Sequence, residues 1–142
     1  MIITRSASET RQIGYQYAES VSSASIVIFQ GPVGAGKSVF IRGILSALGV
    51  SGHIPSPSFT LINRYQGKKN NLPVNIFHID LYRLETPEEI ADLGFQEIIY
   101  SGGISLVEWG ERAAGLYNGK THLVAINFGT EENERQIEII KN

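Results

Sequence analysis

The stretch Gly31-Pro32-Val33-Gly34-Ala35-Gly36-Lys37-Ser38 limits this chain more than any other, because it matches G-x-x-x-x-G-K-[ST]. An apolar run, Ile26-Val27-Ile28-Phe29-Gln30, stands directly before it. After it, Phe40, Ile44 and Leu48 recur at i, i+4 and i+8 with Ile41 and Leu45 beside them, which is one face of a helix, and Gly49 is a natural helix end. Strand, glycine-rich turn and helix in that order make a phosphate cradle. The glycines let the backbone curl so that successive N–H groups point inward, and the start of the helix adds partial positive charge. Lys37 can reach the β- and γ-phosphates as a point charge, and the Ser38 hydroxyl can ligate Mg²⁺. Gly31, Gly34, Ala35, Gly36, Lys37, Ser38 and Val39 are therefore the candidate contacts to a nucleoside triphosphate.

The rest of the chain is predicted to build the sheet around that loop. With 142 residues, 42% of them apolar and 18% charged, the sequence suits one P-loop domain over 1–142. A net charge of −2 argues against a broad basic face that would hold nucleic acid unaided. With no cysteine, thiolate metal sites and a Cys nucleophile are excluded. No apolar stretch has the length of a membrane span and the first residues turn polar by position 4, so a cytoplasmic protein with no membrane partner is expected.

Residues 1–4 can form a short strand. Ser6 and Glu9 fit a capping box, and Ile13, Tyr17 and Val21 predict a helix over about 8–21. Residues 6–10 are a weak candidate for contact with a nucleotide base; simple helix capping is the favoured role. Residues 51–58 read as a loop, 59–65 as a strand, 67–71 as a polar turn carrying a solvated Lys68-Lys69 pair, and 73–80 as a second strand. The two strands predict a hairpin and hence a mixed, partly antiparallel sheet in a three-layer α/β fold. Pro87 starts a short helix ending near Gly94, and a second helical piece covers 95–100. Residues 104–109 read as a buried strand and 110–116 as a short helix. Two final strands, 122–128 and 135–140, flank a polar turn.

Two of these strands end in acids. A P-loop enzyme needs one acid to hold Mg²⁺ and a group to position the attacking water. Glu108, closing a buried strand, is the candidate for Mg²⁺, and Asp80 for orienting the nucleophile. Spacing alone lets the two exchange roles, and either could simply cap the following turn. His78 shares a strand face with Asp80; packing and hydrogen bonding are favoured over a metal pair. His53 and His122 carry no assigned role. Trp109 divides evenly between core and nucleotide flank.

The guanine-reading N-K-x-D, a D-x-x-G after a strand, and L-S-G-G-Q are absent, as is an arginine-rich lid after the loop helix. A GTPase and a transporter ATPase are therefore disfavoured. A small-molecule P-loop kinase stands as the alternative to an accessory ATPase acting on a partner.

The loop, Ser56-Pro57-Ser58-Phe59-Thr60, Phe77-His78-Ile79-Asp80-Leu81-Tyr82-Arg83-Leu84 and Leu106-Val107-Glu108-Trp109 together resemble the TsaE (YjeE) family, in order over about 2–140. These are bacterial ATPases needed for the threonylcarbamoyl modification of the adenosine beside the tRNA anticodon. The resemblance implies ATP on residues 34–38, with Lys37 reaching its phosphates and Ser38 and Glu108 at Mg²⁺. Asp80 matches the acid needed for hydrolysis. Residues 56–60 match a switch-like segment near the γ-phosphate, so Thr60 joins Trp109 among the nucleotide contacts. The implied partner is the TsaB–TsaD pair, which transfers the threonylcarbamoyl group from an adenylate made by TsaC; tRNA is met only through that complex. Hydrolysis would reset the complex between turnovers. Ser38 and Ser58 stand where Thr is usual, and Gly110 where Pro is common. Beyond residue 129 the match is weak, although Arg135 is an evident residue to check for nucleotide contact.

Overall fold

In the computed structural model, seven strands form one sheet in the order β1-β7-β6-β2-β5-β4-β3. The structure describes residues 1–50 and 62–141. The strands are β1 (Ile2–Thr4), β2 (Ile26–Gln30), β3 (Ile62–Lys69), β4 (Leu72–Asp80), β5 (Ile104–Glu108), β6 (His122–Phe128) and β7 (Arg135–Lys141). The helices are α1 (Ala7–Tyr17), α2 (Lys37–Ala47), α3 (Pro87–Asp92) and α4 (Phe95–Ile99).

The sheet is mixed. β6, β2, β5 and β4 run parallel, while β3 pairs β4, and β7 pairs both β6 and β1, in the antiparallel sense. All of β5 is buried and so is most of β2, as expected of parallel strands covered on both faces. Alternation sorts their side chains. Val27, Phe29, Ile76 and Leu106 point into a cluster with Phe40, Ile41, Ile44 and Leu45 of α2 and Tyr17 of α1. Ile26, Ile79 and Val107 point the other way, toward Ile90, Phe95 and Ile99 of α3 and α4. Helices thus cover both faces, giving three layers.

α1 and α2 approach closely at two glycines. A Cβ on Gly14 would strike the Phe40 carbonyl, and one on Gly43 the Arg11 carbonyl. Ser6 caps α1 by accepting the Glu9 amide at 3.1 Å. α1 ends four residues before the expected 21. A single 3₁₀ turn, Ala18–Ser20, follows, and Val21 is extended. Val21 is 1% exposed, so its place in the apolar rhythm reflects burial beyond the helix end.

The hairpin is confirmed with a tighter turn than expected. Asn70 and Asn71 alone make the turn, both with positive φ, 53° and 65°. Lys68 and Lys69 are therefore strand residues and not part of the turn, which corrects that expectation; Lys68 is exposed as expected, while Lys69 is half-buried. Lys69 Nζ donates to the Ala18 carbonyl at 2.8 Å and the Glu19 carbonyl at 3.3 Å, which ties the hairpin tip to the end of α1. The expected helix over 110–116 is one 3₁₀ turn, Gly110–Ala113, and β5 stops at Glu108 because Trp109 takes a left-handed conformation (φ 59°). Residues 51–58, the start of the strand over 59–65, and His53 lie outside the described residues.

Candidate functional site

The loop between β2 and α2 sits at the carboxyl ends of the parallel strands, where open α/β sheets present their ligand sites. The residue before α2, Gly36, has a left-handed φ of 109° and gives the helix no side-chain cap. The first-turn N–H groups thus lack a side-chain acceptor at the cap and face the loop's concave side. Gly31 sits against β6, and a Cβ there would collide with the Ile126 carbonyl. Lys37 is 5% exposed. Its Nζ donates to the Gly31 carbonyl at 2.6 Å and lies 4.2 Å from the centre of the Trp109 ring. Burial lowers the Lys37 pKa below its ordinary value, while the charges of Glu108, Asp80 and Glu111 oppose that shift.

The loop walls a cavity of about 420 Å³ together with Asp80, Glu108, Tyr82 and Trp109. Pairing sets the order of its parts. Phe29 is opposite Glu108, and Glu108 opposite Asp80, so the acids stand one and two strands away from the loop strand. At the spacing of sheet strands that is roughly 5 and 10 Å. Glu108 is buried, with Oε2 accepting from His78 Nε2 at 2.7 Å. Asp80 is half-buried, and its Oδ1 accepts the Tyr82 amide at 3.0 Å. Burial raises the Asp80 pKa, with the Glu108 charge adding to the rise; the Tyr82 amide, His78 and Lys37 pull against it.

Tyr82 and Trp109 give the cavity an aromatic wall, and Arg112 stands beside it. The Tyr82 and Trp109 rings are 5.3 Å apart, and the Arg112 guanidinium lies 4.9 Å from the Trp109 ring centre. Arg112 donates to the Leu84 carbonyl at 3.1 Å and also to the Tyr82 carbonyl. It thereby pins the turn after Asp80 against the turn after Glu108. On the other side of the loop, a smaller cavity of about 130 Å³ lies among Gly34, Gly36, Val39, Ser6, Thr10 and Arg135. Arg135 Nε donates to the Ala35 carbonyl at 3.1 Å, and its guanidinium is 5.0 Å from the Phe128 ring centre. A groove of about 420 Å³ between α1 and the hairpin tip contains Lys69, whose ammonium is already held by carbonyls.

Residues 4–137 match the family model described as "Threonylcarbamoyl adenosine biosynthesis protein TsaE". This chain belongs to the TsaE family. A tRNA threonylcarbamoyladenosine biosynthesis protein TsaE from Treponema pallidum is 38% identical over 79% of this chain and 79% of its own length. A namesake from Rickettsia felis is 38% identical over the whole chain and 80% of its own length, and one from Haemophilus influenzae is 34% identical over 91% and 81%. Among solved structures, Bacillus subtilus YdiB superposes with a TM-score of 0.77 at 25% identity, covering 96% of this chain and 80% of its own.

In this TsaE chain the structure gathers Lys37, Ser38, Asp80, Glu108 and Trp109 around one cavity. Ala35 is buried beneath the loop, and its backbone carbonyl holds Arg135. Ser38 is exposed and Val39 half-buried. Thr60 and the segment 56–60 lie outside the described residues. Trp109, divided in the sequence between core and nucleotide flank, packs against the α3–α4 core and also lines the cavity. His78 is packed and hydrogen-bonded, to Glu108 rather than to Asp80, and among the described residues no group of three or more metal-binding side chains occurs. Ser6 is a cap and also lines the smaller cavity. Arg112 went unread in the sequence because its carbonyl partners lie 28 to 31 positions away, with no spacing signal to join them.

Proposed function

We propose that this protein binds and hydrolyses ATP with Mg²⁺, as an accessory ATPase of the TsaB–TsaD pair in the threonylcarbamoylation of tRNA. One observation carries the reading: two carboxylates in register, Asp80 and Glu108, line the same cavity as Lys37 and the start of α2. The residues suit a triphosphate. The helix start offers donors with no side-chain cap, and among the described residues Lys37 has only a carbonyl and an aromatic face to leave. They suit a hard divalent cation too, since Ser38 and Glu108 are oxygen donors. Bound there, Mg²⁺ would neutralise charge on the β- and γ-phosphate oxygens.

The remaining work belongs to the chain. Lys37 moves from the Gly31 carbonyl to phosphate oxygens. Asp80 orients the attacking water through the carboxylate oxygen that the Tyr82 amide leaves free. Ser6, Thr10 and Arg135 border the space beside the loop that supports the base. Trp109 closes the wall behind Lys37. Among the described residues no helix is long and apolar enough to cross a membrane. A cytoplasmic location is part of the proposal.

The test is phosphate release from ATP by the purified chain, alone and with TsaB–TsaD. Slow release to water that the pair accelerates is expected. Transfer of the γ-phosphate to a metabolite would establish the kinase alternative instead. Failure to bind ATP would overturn both.

A further inference from the structure

We infer that His78 is a positioning residue, which fixes Glu108 for its cation; this rests on the nucleotide reading above. His78 is 3% exposed on β4, and Glu108 is 6% exposed on the neighbouring β5. Their side chains meet at 2.7 Å, Nε2 to Oε2. A carboxylate can only accept, so Nε2 carries the proton; in the neutral tautomer of that kind Nδ1 is an acceptor. That Nδ1 is buried with no hydrogen-bond partner among the described residues. Directly across the antiparallel pair, Asn63 of β3 holds a buried amide nitrogen that also lacks a partner among the described residues. Side chains at such opposed positions lie on one face within about 5.5 Å between Cβ atoms. An acceptor and a donor, each unsatisfied, thus stand side by side, and their pairing would hold the ring in the tautomer that donates to Glu108.

An imidazole used only as filling would leave a polar nitrogen buried at a cost that an apolar side chain avoids. Its one bond goes to the carboxylate that lines the phosphate cavity. That bond engages Oε2 and leaves Oε1 with no hydrogen bond among the described residues. Glu108 therefore presents a single oxygen of fixed orientation to the cavity. Partners behind a metal-binding carboxylate set its orientation, and their loss typically weakens metal affinity by about 10–100-fold.

Glutamine can carry a donor to the position of Nε2, whereas asparagine is one methylene too short. ADP binding is measured by calorimetry for the parent, His78→Gln and His78→Asn, in EDTA and across a magnesium titration. All three are expected to bind ADP equally in EDTA. His78→Asn is expected to raise the magnesium concentration for half-maximal enhancement about 10-fold or more, and His78→Gln to stay close to the parent. Unchanged magnesium dependence in His78→Asn, equal shifts in both variants, or an equal loss of ADP affinity in EDTA would overturn the positioning role. A parent that binds ADP with no magnesium dependence would overturn the cation site itself, and one that binds no ADP the whole nucleotide reading.

Discussion

The ends of β4 and β5 are neighbours in register and opposites in construction. Glu108 finishes a fully buried strand beside the loop strand and is held by an imidazole. Asp80 finishes the next strand out, is only half-buried, and is held by one amide of its own turn. A carboxylate with one oxygen tied and its surroundings closed suits a fixed load such as a cation. A carboxylate at a turn, with burial raising its pKa and one oxygen free, suits an exchangeable water. Within the proposed function, the difference favours Glu108 for Mg²⁺ and Asp80 for the nucleophile, the order that spacing left open.

Substitutions can break that division of labour. The largest effect is expected for Asp80→Asn. It should cut partner-stimulated phosphate release by about 100-fold or more, as loss of a positioned acid–base group does. Calorimetry should show ATP affinity unchanged, because the amide oxygen still accepts from Tyr82. Glu108→Gln should behave in the reverse manner. Loss of a charge-assisted contact of about 1.5–3 kcal/mol should appear as weaker ATP binding with Mg²⁺ and little change in EDTA. If both variants lose binding alike, the two acids do not differ in role.

Lys37→Ala tests the ground they share. It should weaken ATP binding by roughly 1.5–3 kcal/mol whether or not Mg²⁺ is present. Trp109 is the only tryptophan, so its emission should respond when nucleotide draws the ammonium off the ring. In Lys37→Ala that response should shrink in a fluorescence titration. Arg112→Ala removes the pin between the two turns. Urea unfolding should show a loss of about 1–2 kcal/mol from its hydrogen bonds and ring contacts.

The smallest effect is on stability. The Asp80 pKa is raised in the folded state above its ordinary 3.8, so its favourable contribution is complete below that value and is lost as pH rises through the folded pKa. Asp80→Asn should therefore melt slightly higher than the parent at pH 7. The gap should close as pH falls below about 4. A gap that widens in acid would contradict the raised pKa.

Much of this was legible in the sequence, for local reasons. The loop is a motif of consecutive residues, α2 announces itself by its apolar period, and β5 by a mostly apolar run, broken only by Ser105, closed by an acid. The end of α1 was overrun because Val21 is buried for the core's sake and not the helix's. Lys69 read as solvated because its carbonyl partners lie 50 and 51 positions earlier. The His78–Glu108 bond, spanning 30 positions, could not be read from a pattern that pairs His78 with Asp80 on one strand. Contacts between strands that are distant in sequence follow from sheet order, and sheet order is a property of the whole chain.

The central claim is that hydrolysis at this loop serves another protein's cycle. It is tested most directly by following threonylcarbamoylation of tRNA by TsaB–TsaD, with the adenylate supplied, in the presence of Asp80→Asn and ATP. A first round of modification followed by arrest, with ATP still bound, is the predicted result. Sustained turnover at the parent's rate would contradict it.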